Sequence, residues 1–301
     1  MRTKALFSSF LLLSNFLYTT TGCSGKQAKQ DSIPLFAGEP LPYQLRQPSR
    51  TIPLKDSLLQ EISGLGALST PAQLCAISDE RGEIYLLNTK EELAVEKTIP
   101  FREKGDFEGV EWVGDTLYAL QSNGKLYEVT NWKTGTPSVQ QYQTGLDKSH
   151  DLEGLGYDPV TNRLLLACKE DPASNIIRTI WAFDRTTHSL SSHPVYSLDP
   201  NQINDQLSLP PKEKNKYFSP SGIAVHPIIS NVYVLSSALR CLLVLDYTSG
   251  QVLSVELLDK QLFPQPEGIT FEKNGDLWIS SEGKKGTATL QLFSYQPQEK
   301  R

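Results

Sequence analysis

Five times along the chain a short polar motif ends in glycine and opens an apolar run. The five are Glu61-Ile62-Ser63-Gly64-Leu65, Asp106-Phe107-Glu108-Gly109-Val110, Asp151-Leu152-Glu153-Gly154-Leu155, Ser219-Pro220-Ser221-Gly222-Ile223 and Gln265-Pro266-Glu267-Gly268-Ile269. Their glycines are spaced 45, 45, 68 and 46 residues apart. A period of about 40–50 residues belongs to a propeller or a solenoid, and the content of each period separates the two. After each glycine come a short apolar stretch, a turn such as Asp158-Pro159-Val160-Thr161-Asn162 or Glu272-Lys273-Asn274-Gly275-Asp276, and a second apolar run. A third run and a more polar fourth come next in most units. These runs are β-branched or aromatic and bounded by Gly, Pro, Asn or Asp, so they are strands. Four strands per unit is a propeller blade. The expected fold is therefore all-β, a five-bladed β-propeller, with six blades as the alternative.

The ends supply a check on that count. Only 33 residues come after Gly268, too few for a full unit. Upstream, Tyr43–Leu54 is strand-like and has no unit of its own, and its Thr51-Ile52-Pro53-Leu54 echoes Thr98-Ile99-Pro100-Phe101 at the end of the first unit. This N-terminal segment is expected to be the outer strand of the fifth blade, closing the ring and removing its free edges. The 68-residue interval contains about 199–217, too polar and proline-rich for a blade, which reads as a long insertion loop of the functional kind. The propeller domain then runs over 43–301.

The segment before residue 43 is not fold. Arg2 and Lys4 lead an apolar stretch from Ala5 to Tyr18, the pattern of a signal peptide over residues 1–22. Thr20-Thr21-Gly22-Cys23 resembles a bacterial lipobox, although Thr20 stands where leucine is usual. Cys23 is the expected lipidation site and 23–42 a flexible tether. The protein is accordingly expected to be exported and lipid-anchored to the bacterial cell membrane or outer membrane. Of the remaining cysteines, Cys75, Cys168 and Cys241 each sit in an apolar run and read as small buried hydrophobes, with one disulfide left open. Loss of residues 1–22 removes two basic groups and leaves 27 against 34 acidic ones, a net charge of −7. A chain this acidic, with no basic stripe, is not built to track nucleic acid.

The motifs in register, with Ser63, Glu108, Glu153, Ser221 and Glu267 before the glycines, resemble the SdiA-regulated (YjiK-like) family of exported β-propellers. Ser78-Asp79-Glu80, Lys169-Glu170 and Ser281-Glu282, after the second strands of three units, add to the likeness. A more distant similarity runs to phytase-like esterase and calcium-dependent lactonase propellers. The resemblance covers about 41–295 and implies a fold and an export route, not a reaction.

Equal repeat positions on inner strands form a ring near the propeller axis. Glu108, Glu153 and Glu267 are candidate metal ligands there, with Ca2+ the candidate cofactor because the donors are hard oxygens without thiolate or imidazole. The glutamates could equally clasp the backbone of the neighbouring blade. Ser63 and Ser221 join the ring, and Asp106 and Asp151, two residues earlier on the same strand face, form a second polar tier. With Glu80, Glu170 and Glu282 on the adjoining loops they make the candidate ligand-binding set. Each motif glycine is expected to permit close approach of blades. His150 and His226 read as surface and turn residues. No GxSxG elbow, HExxH, phosphate loop, dinucleotide fingerprint or EF-hand is present. The function expected is a binding module for a small molecule or an envelope protein at an acidic channel mouth. The alternative is a metal-dependent hydrolase of phosphoesters or lactones.

Overall fold

The computed structural model describes residues 40–297, apart from 91, 92, 175, 210, 214 and 285; the signal segment, Cys23 and nearly all of the tether lie outside the described residues. Five antiparallel sheets succeed one another along the chain. Blade one is Ile62–Ala67, Gln73–Ser78, Arg81–Asn88 and Ala94–Lys104. Blade two is Phe107–Val113, Thr116–Gln121, Lys125–Thr130 and Ser138–Gln143. Blade three starts with Leu152–Asp158, Arg163–Cys168 and Arg178–Asp184. Blade four is Gly222–Val225, Val232–Ser236, Cys241–Leu245 and Val252–Leu257. Blade five supplies Pro266–Phe271, Leu277–Ser281 and Thr289–Phe293. No further sheet lies between Gly154 and Gly222 among the described residues, so the count is five.

Closure occurs where the sequence placed it, over a shorter span. Arg50–Pro53 is the outer strand of blade five, with Arg50 opposite Leu292 and Pro53 opposite Thr289. Pro53 lacks an N–H and fits because this strand is at the sheet edge. Single backbone hydrogen bonds from the Ser49 and Leu54 N–H groups to the Leu292 and Ala288 carbonyls flank this strand, and the start of the segment packs instead of pairing. Tyr43 is buried beside Phe271 and Tyr233, and its hydroxyl donates to the Gly275 carbonyl at 2.6 Å.

The core is divided among the blade interfaces, because each sheet has a neighbour on both faces. That is why the second strands are apolar throughout instead of alternating. Leu165, Ile180, Ile223 and Val234 pack blade three on blade four, and Trp278, Leu290, Leu74 and Tyr85 pack blade five on blade one. Outer strands face water and read accordingly: Ser138–Gln143 is exposed along nearly its whole length. Cys75, Cys168 and Cys241 are free thiols, fully buried in blades one, three and four.

Two local features differ from expectation. Blade three has no continuous fourth strand; Ser189–Leu190 and Tyr196–Leu198 both pair with Arg178–Asp184, split by Ser191-Ser192-His193-Pro194. The insertion at about 199–217 is not all loop either. Pro200–Asp205 is a short helix, because Pro200 presets the first-turn dihedral and Asp199 caps it by accepting from the Asn201 N–H at 2.9 Å. Ile203 carries the helix into the core between blades three and four.

Candidate acidic channel mouth

The inner strands all begin at one end of the channel, so their motifs meet there. Ser63, Glu108, Glu153, Ser221 and Glu267 line one small cavity of about 10 Å3 together with the five glycines and Leu65, Val110, Leu155, Ile223 and Ile269. That volume holds about one water, and the aliphatic side chains plug the channel behind the polar ring.

Glycine makes the ring this tight. A Cβ on Gly109 would stand 2.5 Å from the Leu155 Cβ of the next blade, and one on Gly222 would overlap the Glu267 carbonyl oxygen. The motif residues are also offset from their strand pairing. In blade one Ile62 faces Ser78 and Gly64 faces Ile77, leaving Ser63 as an extra residue. Glu108 and Glu153 are extra in the same way, and Glu267 with Gly268 shifts the register in blade five. These are β-bulges, which re-aim a side chain out of the sheet.

The ring splits into two kinds of residue. The Ser63 hydroxyl donates to the Phe107 carbonyl at 2.6 Å, and that of Ser221 to the Pro266 carbonyl at 3.0 Å. Both serines are buried, and both thereby clasp the next blade, a role the sequence had offered to the glutamates. The glutamates face one another instead. Burial, then the charges of Glu153 and Asp106, push the Glu108 acid up to about 10. Burial, Glu153 and Glu282 push Glu267 up to about 8. Glu153 is also raised, chiefly by burial, although Lys169 opposes the shift.

Lys169, which the sequence offered only as part of the family likeness and not as a site residue, stands among these glutamates. Its Nζ lies 2.9 Å from Glu153 Oε1 and 3.9 Å from Asp151 Oδ2. Burial alone would depress this amine, yet Glu153, Asp151 and Glu267 hold it above the ordinary lysine value. It belongs to a third tier made by the residue directly after each second strand: Asp79, Ser122, Lys169, Ser237 and Glu282. The N–H groups of Asp79, Ser122, Lys169 and Glu282 donate to the carbonyls of Glu61, Asp106, Asp151 and Gln265, which fixes this tier against the second one. Burial, then Asp79 and Glu61, push Glu282 up to about 7. Asp79 is raised by burial and Glu61, and its Oδ1 has no hydrogen-bond partner.

Of the remaining sequence candidates, Asp106 and Asp151 stay with the ring as its second tier, and Glu80 and Glu170 leave it. Asp106 accepts from the Ser122 hydroxyl at 2.5 Å, and Asp151 has a positive φ of 49°. Glu80 and Glu170 are exposed, and Glu170 lies 3.6 Å from Arg178. The tier position is the residue before each of them, a one-residue offset that equal spacing from the second strands would have revealed. His226 is buried and holds its turn by accepting from the Ile228 and Ile229 N–H groups; burial takes it down to about 4. His150 sits in a turn against Asp147. Among the described residues no three Asp, Glu, His or Cys side chains are grouped to hold a metal ion.

A family model described as SdiA-regulated matches residues 43–285. No curated protein matches. Among solved structures, a luciferin-regenerating enzyme aligns at 11% identity and a TM-score of 0.50, covering 82% of this chain and 95% of that one. A nidogen/laminin complex chain aligns at 14% identity and 0.49, covering 78% and 86%. The WD40 β-propeller domain of Doa1 aligns at 8% and 0.47, covering 84% and 97%. Identities this low speak for the fold alone.

Proposed function

The chain belongs to the SdiA-regulated family, and from that premise we propose that it is a lipid-anchored cell-envelope propeller whose acidic channel mouth binds a cationic group on a small ligand or partner protein. One observation carries this reading. Across the three tiers stand Glu61, Asp79, Asp106, Glu108, Asp151, Glu153, Glu267 and Glu282, and among the described residues the ammonium groups set against them are Lys169, which meets Glu153 and Asp151, and Lys284, which acts on Glu282. Glu108, Glu267 and Glu282 keep protons they would lose in water, and a bound cation relieves the same repulsion. Lys169 is itself an example of an amine held there between Glu153 and Asp151.

Ca2+ would use the same oxygens, but it takes 6–8 of them, and the carboxylates as placed do not form such a cage. The hydrolase reading depends on that cage and draws no support from the arrangement. Calorimetry separates the occupants. A tri-lysine peptide is expected to bind the full-length protein at micromolar to millimolar concentration with release of protons, and to bind at least tenfold more weakly after Glu108→Gln. Absence of heat with the peptide at millimolar concentration refutes the proposal. Ca2+ binding with no peptide binding replaces it with the metal reading.

A further inference from the structure

The inner strands end at the opposite mouth of the channel, where a separate cavity of about 410 Å3 opens, lined by residues of all five blades. Its wall is mostly apolar and aromatic, including Trp112, Tyr157, Phe271 and Val225. The only charged side chains on it are Lys273, exposed to solvent, and Glu111, buried.

Glu111 is the exception at its repeat position. The inner strands read Gly64-Leu65-Gly66, Gly109-Val110-Glu111, Gly154-Leu155-Gly156, Gly222-Ile223-Ala224 and Gly268-Ile269-Thr270. Small residues therefore surround the one carboxylate, and its Cα lies 3.3 Å from where a Cβ on Gly66 would be. The residue is 9% exposed. Oε1 accepts from the Trp112 N–H at 2.8 Å, and Oε2 from the Tyr157 N–H of the next blade at 3.0 Å. Each oxygen keeps a second lone pair. Burial outweighs those two hydrogen bonds, and the balance pushes the acid up to about 8. No Lys, Arg or His pairs with it among the described residues. A carboxylate at the wall of an apolar cavity without a cation is costly. An ammonium group would offset that cost, and aromatic walls stabilise it further.

We propose that the second mouth binds an organic ammonium ion with an apolar body, its nitrogen paired to Glu111 and its body against Trp112, Tyr157 and Phe271. The aliphatic plug of Leu65, Val110, Leu155, Ile223 and Ile269 separates this site from the acidic mouth. The site does not depend on the function proposed for that end.

The probes are 2-phenylethylamine and its neutral counterpart 2-phenylethanol, titrated into full-length protein by calorimetry. The amine is expected to bind at least tenfold more tightly than the alcohol, and Glu111→Gln to cut that preference below threefold. Ala67→Leu, which fills the cavity without touching the carboxyl, is expected to abolish binding of both. Equal affinity for amine and alcohol in the parent protein overturns the proposal, as does amine binding that survives Ala67→Leu. If Glu111→Gln does not fold, Ala67→Leu and the amine-to-alcohol ratio decide.

Discussion

Replacing Glu108 by glutamine should stabilise this protein at neutral pH, the reverse of what removal of a motif residue usually does. An isolated glutamic acid has a pKa of 4.5, and Glu108 in the fold is held up to about 10. Between those values the native state keeps a proton that the unfolded state has released. The unfolded state binds fewer protons, so stability falls as pH rises through this window. At pH 7.5 the window has been open for about 3 pH units, and each unit is worth about 1.4 kcal/mol, which sets a ceiling of about 4 kcal/mol. Glu153 shares the titration, so about 2–4 kcal/mol is the expected gain. The glutamine side chain has the shape of the protonated acid and no proton to release. Urea unfolding of both proteins, without divalent cations or amines in the buffer, checks this at pH 4.5 and 7.5. The two should unfold alike at pH 4.5, and the Glu108→Gln midpoint should be higher at 7.5. A variant equal to or weaker than the parent at both pH values would refute the view that the ring is under charge stress.

The clasp at the blade boundary gives a second expectation: Ser63→Ala leaves the buried Phe107 carbonyl without its 2.6 Å partner and should cost about 1–3 kcal/mol in urea unfolding. Gly222→Ala drives a methyl into the Glu267 carbonyl of the next blade; the loss should reach the upper end of about 1–3 kcal/mol or exceed it. Cys23→Ala should move the protein from the membrane fraction to the soluble one, and unchanged partition in cell fractionation would remove the lipid anchor from the proposal.

The repeat made the fold legible because it is written in residues that the axis constrains directly. Glycine recurs where blades touch, and the interval between glycines equals one sheet. The outer positions have no such constraint, which is why Ser191-Ser192-His193-Pro194 could break the last strand of blade three unannounced. The ring residues were visible by type, but their orientation was not. A bulge at Ser63, Glu108 and Glu153 adds a residue without changing the composition around it, so alternation alone assigns the next side chains to the wrong face. Lys169 was visible as a motif residue but passed over for the site because of its sign, since an acidic pattern draws attention to Glu170 beside it. Glu111 looked like one ordinary charge in a strand. Only alignment of the five inner strands shows that its counterparts are Gly66, Gly156, Ala224 and Thr270.

The closing strand has a mechanical meaning as well as a topological one. If the proposed lipid anchor holds the propeller by the chain that precedes it, a pull arrives at residue 40 and is passed toward Arg50–Pro53, the seam of the ring. Before the load reaches the seam it meets the Gln296 N–H bonded to the Pro42 carbonyl, the buried ring of Tyr43, and the Ser49 N–H bonded to the Leu292 carbonyl. These contacts act as a strain relief. Drag on the body would first tug on an aromatic plug wedged between blades four and five, while the hydrogen bonds that keep the circle shut stay unloaded.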